Sequence, residues 1–162
     1  VKPYSVLYAV DPSTVATGIA IFTYAELLDV VLLQSNGGVV DMIREIQRFF
    51  GSHGVNVQRS YACVVETPVA YPFGGRGADP NDLIQVAVVA GAVRAHFSTS
   101  TAVTPRQWNG GVPKKITAKR IRALLTPKQI AMVEAVPYGV RHNVWDAIGI
   151  GMYHLKATGA GT

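Results

Sequence analysis

Three carboxylates stand where apolar segments end or begin, and they are the residues of this sequence best placed for chemistry. Asp11 closes "SVLYAVD" (5–11), Glu66 closes "YACVVE" (61–66), and Asp146 sits in "RHNVWDAIGIGMYHL" (141–155). In an α/β sheet, ligand sites lie outside the carboxyl ends of the strands. If the strands ending in Asp11 and Glu66 run parallel and adjacent, the two acids lie side by side and repel unless a cation sits between them. Asp146 can reach the same place from a helix, and on that helix His142 and Asn143 share its face. Hard oxygen donors grouped in this way suit Mg²⁺ or Mn²⁺. Two such ions can activate a water and stabilise the leaving oxygen in phosphodiester cleavage. Each acid also has a plain structural reading. Asp11 before Pro12 can be a turn residue, Glu66 a surface acid, and Asp146 the N3 residue of a helix capped by Asn143.

Charge favours a phosphate-bearing partner. The chain has 162 residues, is 49% apolar and only 15% charged, and carries a net charge of +5. No acid occurs between Asp82 and Glu134, whereas Arg94, Arg106, Lys114, Lys115, Lys119, Arg120, Arg122 and Lys128 do. Surface helices usually mix both signs, so an acid-free, basic stretch is the expected footprint of nucleic-acid binding. The single cysteine, Cys63, lies in an apolar run and reads as a buried small hydrophobe, which excludes an internal disulfide and a cysteine-based metal site. With neither a signal-peptide pattern nor a membrane-length apolar run, the expectation is a cytoplasmic protein without membrane attachment, of a bacterial cell or a phage-infected host.

The elements that must position the acids follow from periodicity. Apolar runs predict strands over 5–11, 19–24 and 27–35, the first two joined by the turn "PSTVATG". Val39, Met42, Ile43, Ile46, Phe49 and Phe50 recur at helical spacing. A strand over 61–66, a Pro- and Gly-rich loop over 67–82, a buried helix over 83–97 and a short strand over 101–105 come next. "RQWNGGVPKK" reads as a loop and 117–125 as a basic helix capped by Thr117. "TPKQ" opens a further helix with Thr126 as cap and Pro127 at its first position. A helix over 144–155 closes the chain. Within one domain spanning 1–162, this order predicts an α/β fold: a five-stranded mixed sheet whose first three strands form an antiparallel meander, flanked by helices.

The chain resembles the RuvC-type Holliday-junction resolvases of the RNase H-like nuclease superfamily. The resemblance rests on "AVDPSTVATGIAIF", "CVVETP" and "RHNVWDAIGIGM", in that order, and covers nearly the whole chain. It implies an RNase H-like fold with Asp11, Glu66 and Asp146 as catalytic metal ligands. Many relatives carry two acids three residues apart on the last helix. Here the earlier position holds Asn143, with His142 just before it, so His142 is expected as the fourth catalytic ligand and Asn143 stands in reserve. A neutral ligand lowers the negative charge of the site and favours Mn²⁺ relative to Mg²⁺.

The resemblance also implies a homodimer that binds a four-way junction and nicks two strands of like polarity, with two metal ions per site and no small-molecule cofactor. The helix "LIQVAVVAGAVRA" looks like the family's dimer helix. Tyr71 and Phe73 become candidates to stack on bases at the junction centre, with Arg76 on the same loop. Arg106, Lys114, Lys115, Lys119 and Arg120 become phosphate contacts, while Trp108 reads as a core residue. The alternatives are another nuclease of this fold acting on flap DNA or RNA, and a non-cleaving junction-binding module. An actin-like ATPase is excluded by length and by the lack of a second phosphate hairpin.

Overall fold

The computed structural model describes residues 5–53, 61–70 and 79–160. Tyr71, Phe73 and Arg76 lie outside the described residues. The chain runs β1 (Val6–Asp11), β2 (Ala16–Thr23), β3 (Glu26–Gln34), α1 (Val39–Ser52), β4 (Tyr61–Glu66), α2 (Pro80–Arg94) and β5 (Thr99–Val103). It then continues as α3 (Pro105–Asn109), α4 (Lys114–Arg122), α5 (Pro127–Glu134), a 3-10 turn (Tyr138–Val140) and α6 (Arg141–Ala157). The five strands form one sheet in the order β3-β2-β1-β4-β5. The meander β1-β2-β3 is antiparallel, and β4 and β5 add parallel to β1, as the sequence predicts.

Strand alternation divides the core into two layers, because successive side chains point to opposite faces. Leu7 and Ala9 of β1 pack with Val64 of β4, Phe22 of β2, and Val144, Ile148 and Ile150 of α6. Tyr8 and Val10 face the other way, onto Met42, Ile46 and Phe50 of α1 and Val89 and Val93 of α2. The same parity governs the strand ends. Asp11 follows Leu7 and Ala9, and Glu66 follows Ala62 and Val64, so both acids belong to the α6 face of the sheet. Val10 pairs with Val65 in the parallel ladder, which sets Asp11 and Glu66 one step further on adjacent strands.

Several boundaries differ from the sequence reading. "RQWNGGVPKK" is not all loop: Pro105–Asn109 is helical, with the Gln107 side chain accepting from the Thr104 amide at 2.7 Å. α4 begins at Lys114, so Thr117 does not cap it. Pro113 takes that place because its carbonyl already accepts from the Ile116 and Thr117 amides at 2.9 and 3.1 Å, and Thr117 is buried a turn inside. α6 begins at Arg141, carried in by the 3-10 turn, with Val140 at its N-cap and no side-chain cap. Asn143 and Asp146 are therefore buried helical residues and not a capping pair.

α6 crosses the sheet at close range, and Gly18 sets the distance. A Cβ built on Gly18 would lie 2.2 Å from the backbone carbonyl oxygen of Asn143. Gly18 is in register with Asp11, so this contact fixes the start of α6 against the end of β1. Gly18→Ala is expected to lose about 1–3 kcal/mol by overpacking against backbone that cannot yield. Gly51→Ala, whose Cβ meets nothing within 4 Å, is expected to be neutral or slightly stabilising. Urea denaturation of the two variants checks the contrast, and equal stability would contradict the close approach.

Candidate active site

The site is built from the ends of β1 and β4 and the first turns of α6. Asp11 and Asp146 are buried, at 8% and 4% exposure, while Glu66 is half-buried. The hairpin after Asp11 is held by a local network in which the Thr17 hydroxyl donates to the Ser13 carbonyl at 2.9 Å and accepts from the Ser13 amide at 3.1 Å. Two partners hold the other acids. Lys114 Nζ donates to Asp146 Oδ2 at 2.5 Å, and Trp108 Nε1 donates to Glu66 Oε2 at 2.5 Å. Trp108 is seated because α6 carries glycine beneath it: a Cβ on Gly149 would lie 2.6 Å from the indole Cζ3.

The acids sense one another. Burial pushes the Asp11 carboxyl well above the usual carboxylate range, repulsion from Glu66 and Asp146 adds to this, and Lys114 opposes it. Glu66 is raised by burial and by Asp146, against the Trp108 hydrogen bond and Lys114. Burial alone would lower the Lys114 ammonium. Its hydrogen bond and attraction to Asp146, with Asp11 and Glu66 behind, outweigh that and hold it above its usual range. Three carboxylates thus face one ammonium.

This imbalance, in a set of hard oxygen donors, fits a divalent cation of the Mg²⁺ or Mn²⁺ kind. Among the described residues, no three His, Cys, Asp or Glu side chains already close into a metal-binding group. The geometry accounts for this, since Glu66 is turned to Trp108 and Asp146 to Lys114. His142 and Asn143 flank Asp146 on α6, about 40° to one side and about 60° to the other on an ideal helix. Asn143 is buried with its backbone against Gly18, whereas His142 is exposed and lines a groove with Lys119 and Trp145.

Basic residues of the 106–120 region line separate hollows. Lys114 turns inward to Asp146, and Arg106 lines a hollow with it beside the Gly110-Gly111 turn. Lys115 is exposed. Lys119 opens on the His142 groove, and Arg120 opens on a different one with Trp108 and Lys156. Two roles escaped the sequence: Lys114 as partner of a site acid, and Trp108 as a half-buried residue that also holds Glu66. Both contacts span more than thirty positions, 32 and 42, and no local pattern signals either.

Solved structures share this fold. A Thermus thermophilus RuvC in complex with a Holliday junction substrate matches with a TM-score of 0.66 at 18% identity, covering 98% of each chain. The fold is that of the RuvC-type resolvases. A second Thermus thermophilus RuvC structure matches with a TM-score of 0.58 at 15% identity, over 96% of this chain and 97% of that one. The yeast mitochondrial Holliday junction resolvase Ydc2 matches at 0.59 with 6% identity, over 98% of this chain and 84% of its own. No protein-family model and no curated protein sequence matches this chain. The RuvC-type fold is thus kept while most of the sequence differs. Among the described residues, no helix is long and apolar enough to cross a membrane.

The raised carboxyls of this RuvC-type fold have a measurable consequence for the metal-free protein. They bind protons more tightly folded than unfolded. They therefore favour the folded state below the ordinary carboxylate range, and that contribution is lost as pH rises through their raised values. Asp11→Asn removes the charge and keeps the shape. In EDTA at neutral pH it is expected to melt several degrees above the parent, about 2–4 °C for each ~1 kcal/mol gained, with the gap closing toward acid pH. Melting curves at acid and neutral pH test this, and an unchanged or lower neutral-pH midpoint would contradict the repulsion.

Proposed function

We propose that this chain is a structure-selective DNA endonuclease that resolves four-way junctions by metal-dependent hydrolysis of phosphodiesters, making paired nicks as a homodimer. One observation carries this reading: Asp11, Glu66 and Asp146 arrive from β1, β4 and α6 at one end of a RuvC-type sheet, next to the basic helix α4. A binder of phosphates gains nothing from three acids placed where phosphates approach. A hydrolase gains a cation site. Asp11, Glu66 and Asp146 would hold two Mg²⁺ or Mn²⁺ ions, with His142 or Asn143 as the neutral fourth donor. When bound, the ions supply Lewis-acid activation of the attacking water and of the leaving oxygen.

The chain's own residues do the rest. Asp11 must lose its proton to act as a ligand, so its raised carboxyl couples metal uptake to proton release. Trp108 orients Glu66 by donating to one of its oxygens. Lys114 donates to Asp146 and can turn its ammonium to a phosphate, because its side chain is mostly exposed. Arg106, Lys115, Lys119 and Arg120 would meet phosphates further along the arms, and Tyr71, Phe73 and Arg76 would meet the branch point.

Asp146→Asn is expected to lower junction cleavage by at least about a hundredfold, as expected for loss of a group that stabilises the transition state. Junction affinity should stay within a fewfold. The assay compares a labelled four-way junction with linear duplex and an RNA–DNA hybrid, in Mg²⁺, Mn²⁺ or EDTA. Paired, metal-dependent nicks confined to the junction support the reading. Cutting of the hybrid moves the function to RNA or flap processing, and binding without cutting in any metal leaves a junction-binding module.

The dimer would form through α2, where Ile84 and Val88 are 62% and 47% exposed and the Gly91 side is open. These residues recur at i, i+4 and i+7, an apolar stripe of the kind that packs against another helix. Ile84→Glu is expected to give a monomer by light scattering and to abolish paired nicks. A dimer that survives this change contradicts the α2 interface.

A further inference from the structure

Beside the acids, a groove of about 520 Å³ opens between α4, the 3-10 turn and the start of α6. Such a volume lies within the range of small-ligand sites, roughly 300–1,000 Å³. Its lining includes Lys119, Arg122, Tyr138, Arg141, His142 and Trp145, and no carboxylate. The nearby Glu134 side chain is neutralised by Arg122 at 2.5 Å. The Lys119 ammonium has no hydrogen-bond or ion-pair partner among the described residues.

Tyr138 is 87% exposed, yet it is not loosely held. The Arg141 guanidinium lies 5.7 Å from its ring centroid. That guanidinium is itself fixed, donating to the Val136 carbonyl at 2.8 Å and the Glu134 carbonyl at 2.6 Å. Half-buried Trp145 packs on the core and still lines the groove. Two aromatic rings, one of them backed by a rigid cation, and a free ammonium make a stacking platform with a phosphate contact.

Resting on the nuclease reading above, we propose that this groove takes up one unstacked nucleotide adjoining the cut phosphate, its base on Tyr138 and Trp145 and its own phosphate on Lys119. His142 opens the groove one helical turn, about 6 Å, before Asp146, a distance that points to the nucleotide next to the cut. A stacked duplex cannot offer its base there without being flipped. Flipping is least costly where stacking is already broken. The groove therefore contributes to the choice of branched over linear DNA, independently of how tightly the arms are held.

The test uses the full chain and four-way junctions with a single abasic nucleotide at each position flanking the cut. Tyr138→Ala is expected to slow junction cleavage about ten- to hundredfold, with Tyr138→Phe restoring most of the rate. At one flanking position, loss of the base is expected to slow the parent to a similar degree and to slow Tyr138→Ala no further, because both changes remove the same stacking contact. Cleavage by Tyr138→Ala at the parent's rate overturns the groove and leaves the resolvase reading intact. So do base and ring losses that multiply at every position. A parent chain that neither binds nor cuts the junction overturns both. Tyr138→Ala that lacks the parent's circular dichroism is set aside for Tyr138→Leu, which keeps apolar bulk without a ring and carries the same expectations.

Discussion

Mutual repulsion of three acids held in one small space is the constraint on which the rest of the structure depends. Asp11 and Asp146 are buried, and neighbouring carboxylates raise the free energy of ionising Asp11 and Glu66. A chain free to relax would splay them apart. This one does not, because each acid is carried by an element whose position is fixed by apolar packing elsewhere. β1 and β4 sit at the centre of the sheet with helices on both faces, and α6 is clamped by Val144, Ile148 and Ile150 on one core layer. Stability built into the core is spent at the sheet's end, where the acids are held together.

The same constraint explains why two residues without obvious chemistry stand where they do. Acids held this close need some compensation. Lys114 supplies a charge to Asp146, and Trp108 supplies a hydrogen bond to Glu66. Asp11 feels the Lys114 charge only at longer range, and its carboxyl is raised well above the ordinary range. The asymmetry is chemically useful. Lys114 is on an exposed stem and can leave, whereas Trp108 is wedged above Gly149 and cannot easily do so. Glu66 is thereby held in one orientation, while Asp146 is held by a partner that can move.

How much of this was legible in the sequence depended on how local its cause was. Asp11 and Glu66 were readable as acids at strand ends because strand ends are written in short apolar runs, and the meander and the parallel return followed from element order. Helix starts were less legible. "TPRQ" at 104–107 and "TPKQ" at 126–129 are nearly the same word, and both open helices with the Gln side chain bonded back to the Thr amide. Only the second was read as a helix, because Gly110-Gly111 follow the first so closely that it looked like loop. The start of α6 carries no capping side chain at all, so the plain reading of Asn143 as its cap is not realised. Burial, which needs the whole fold, separates the two readings.

The partition of the basic residues carries the same lesson to function. As a sequence, 106–120 is one positive run, and a run suggests one surface for one polyanion. As a helix, α4 turns about 100° per residue, so neighbours in the run diverge: Lys119 and Arg120 enter different grooves, and Lys114 turns inward. The positive charge is therefore divided among separate grooves, a partition that net charge alone, which the sequence states plainly, does not reveal.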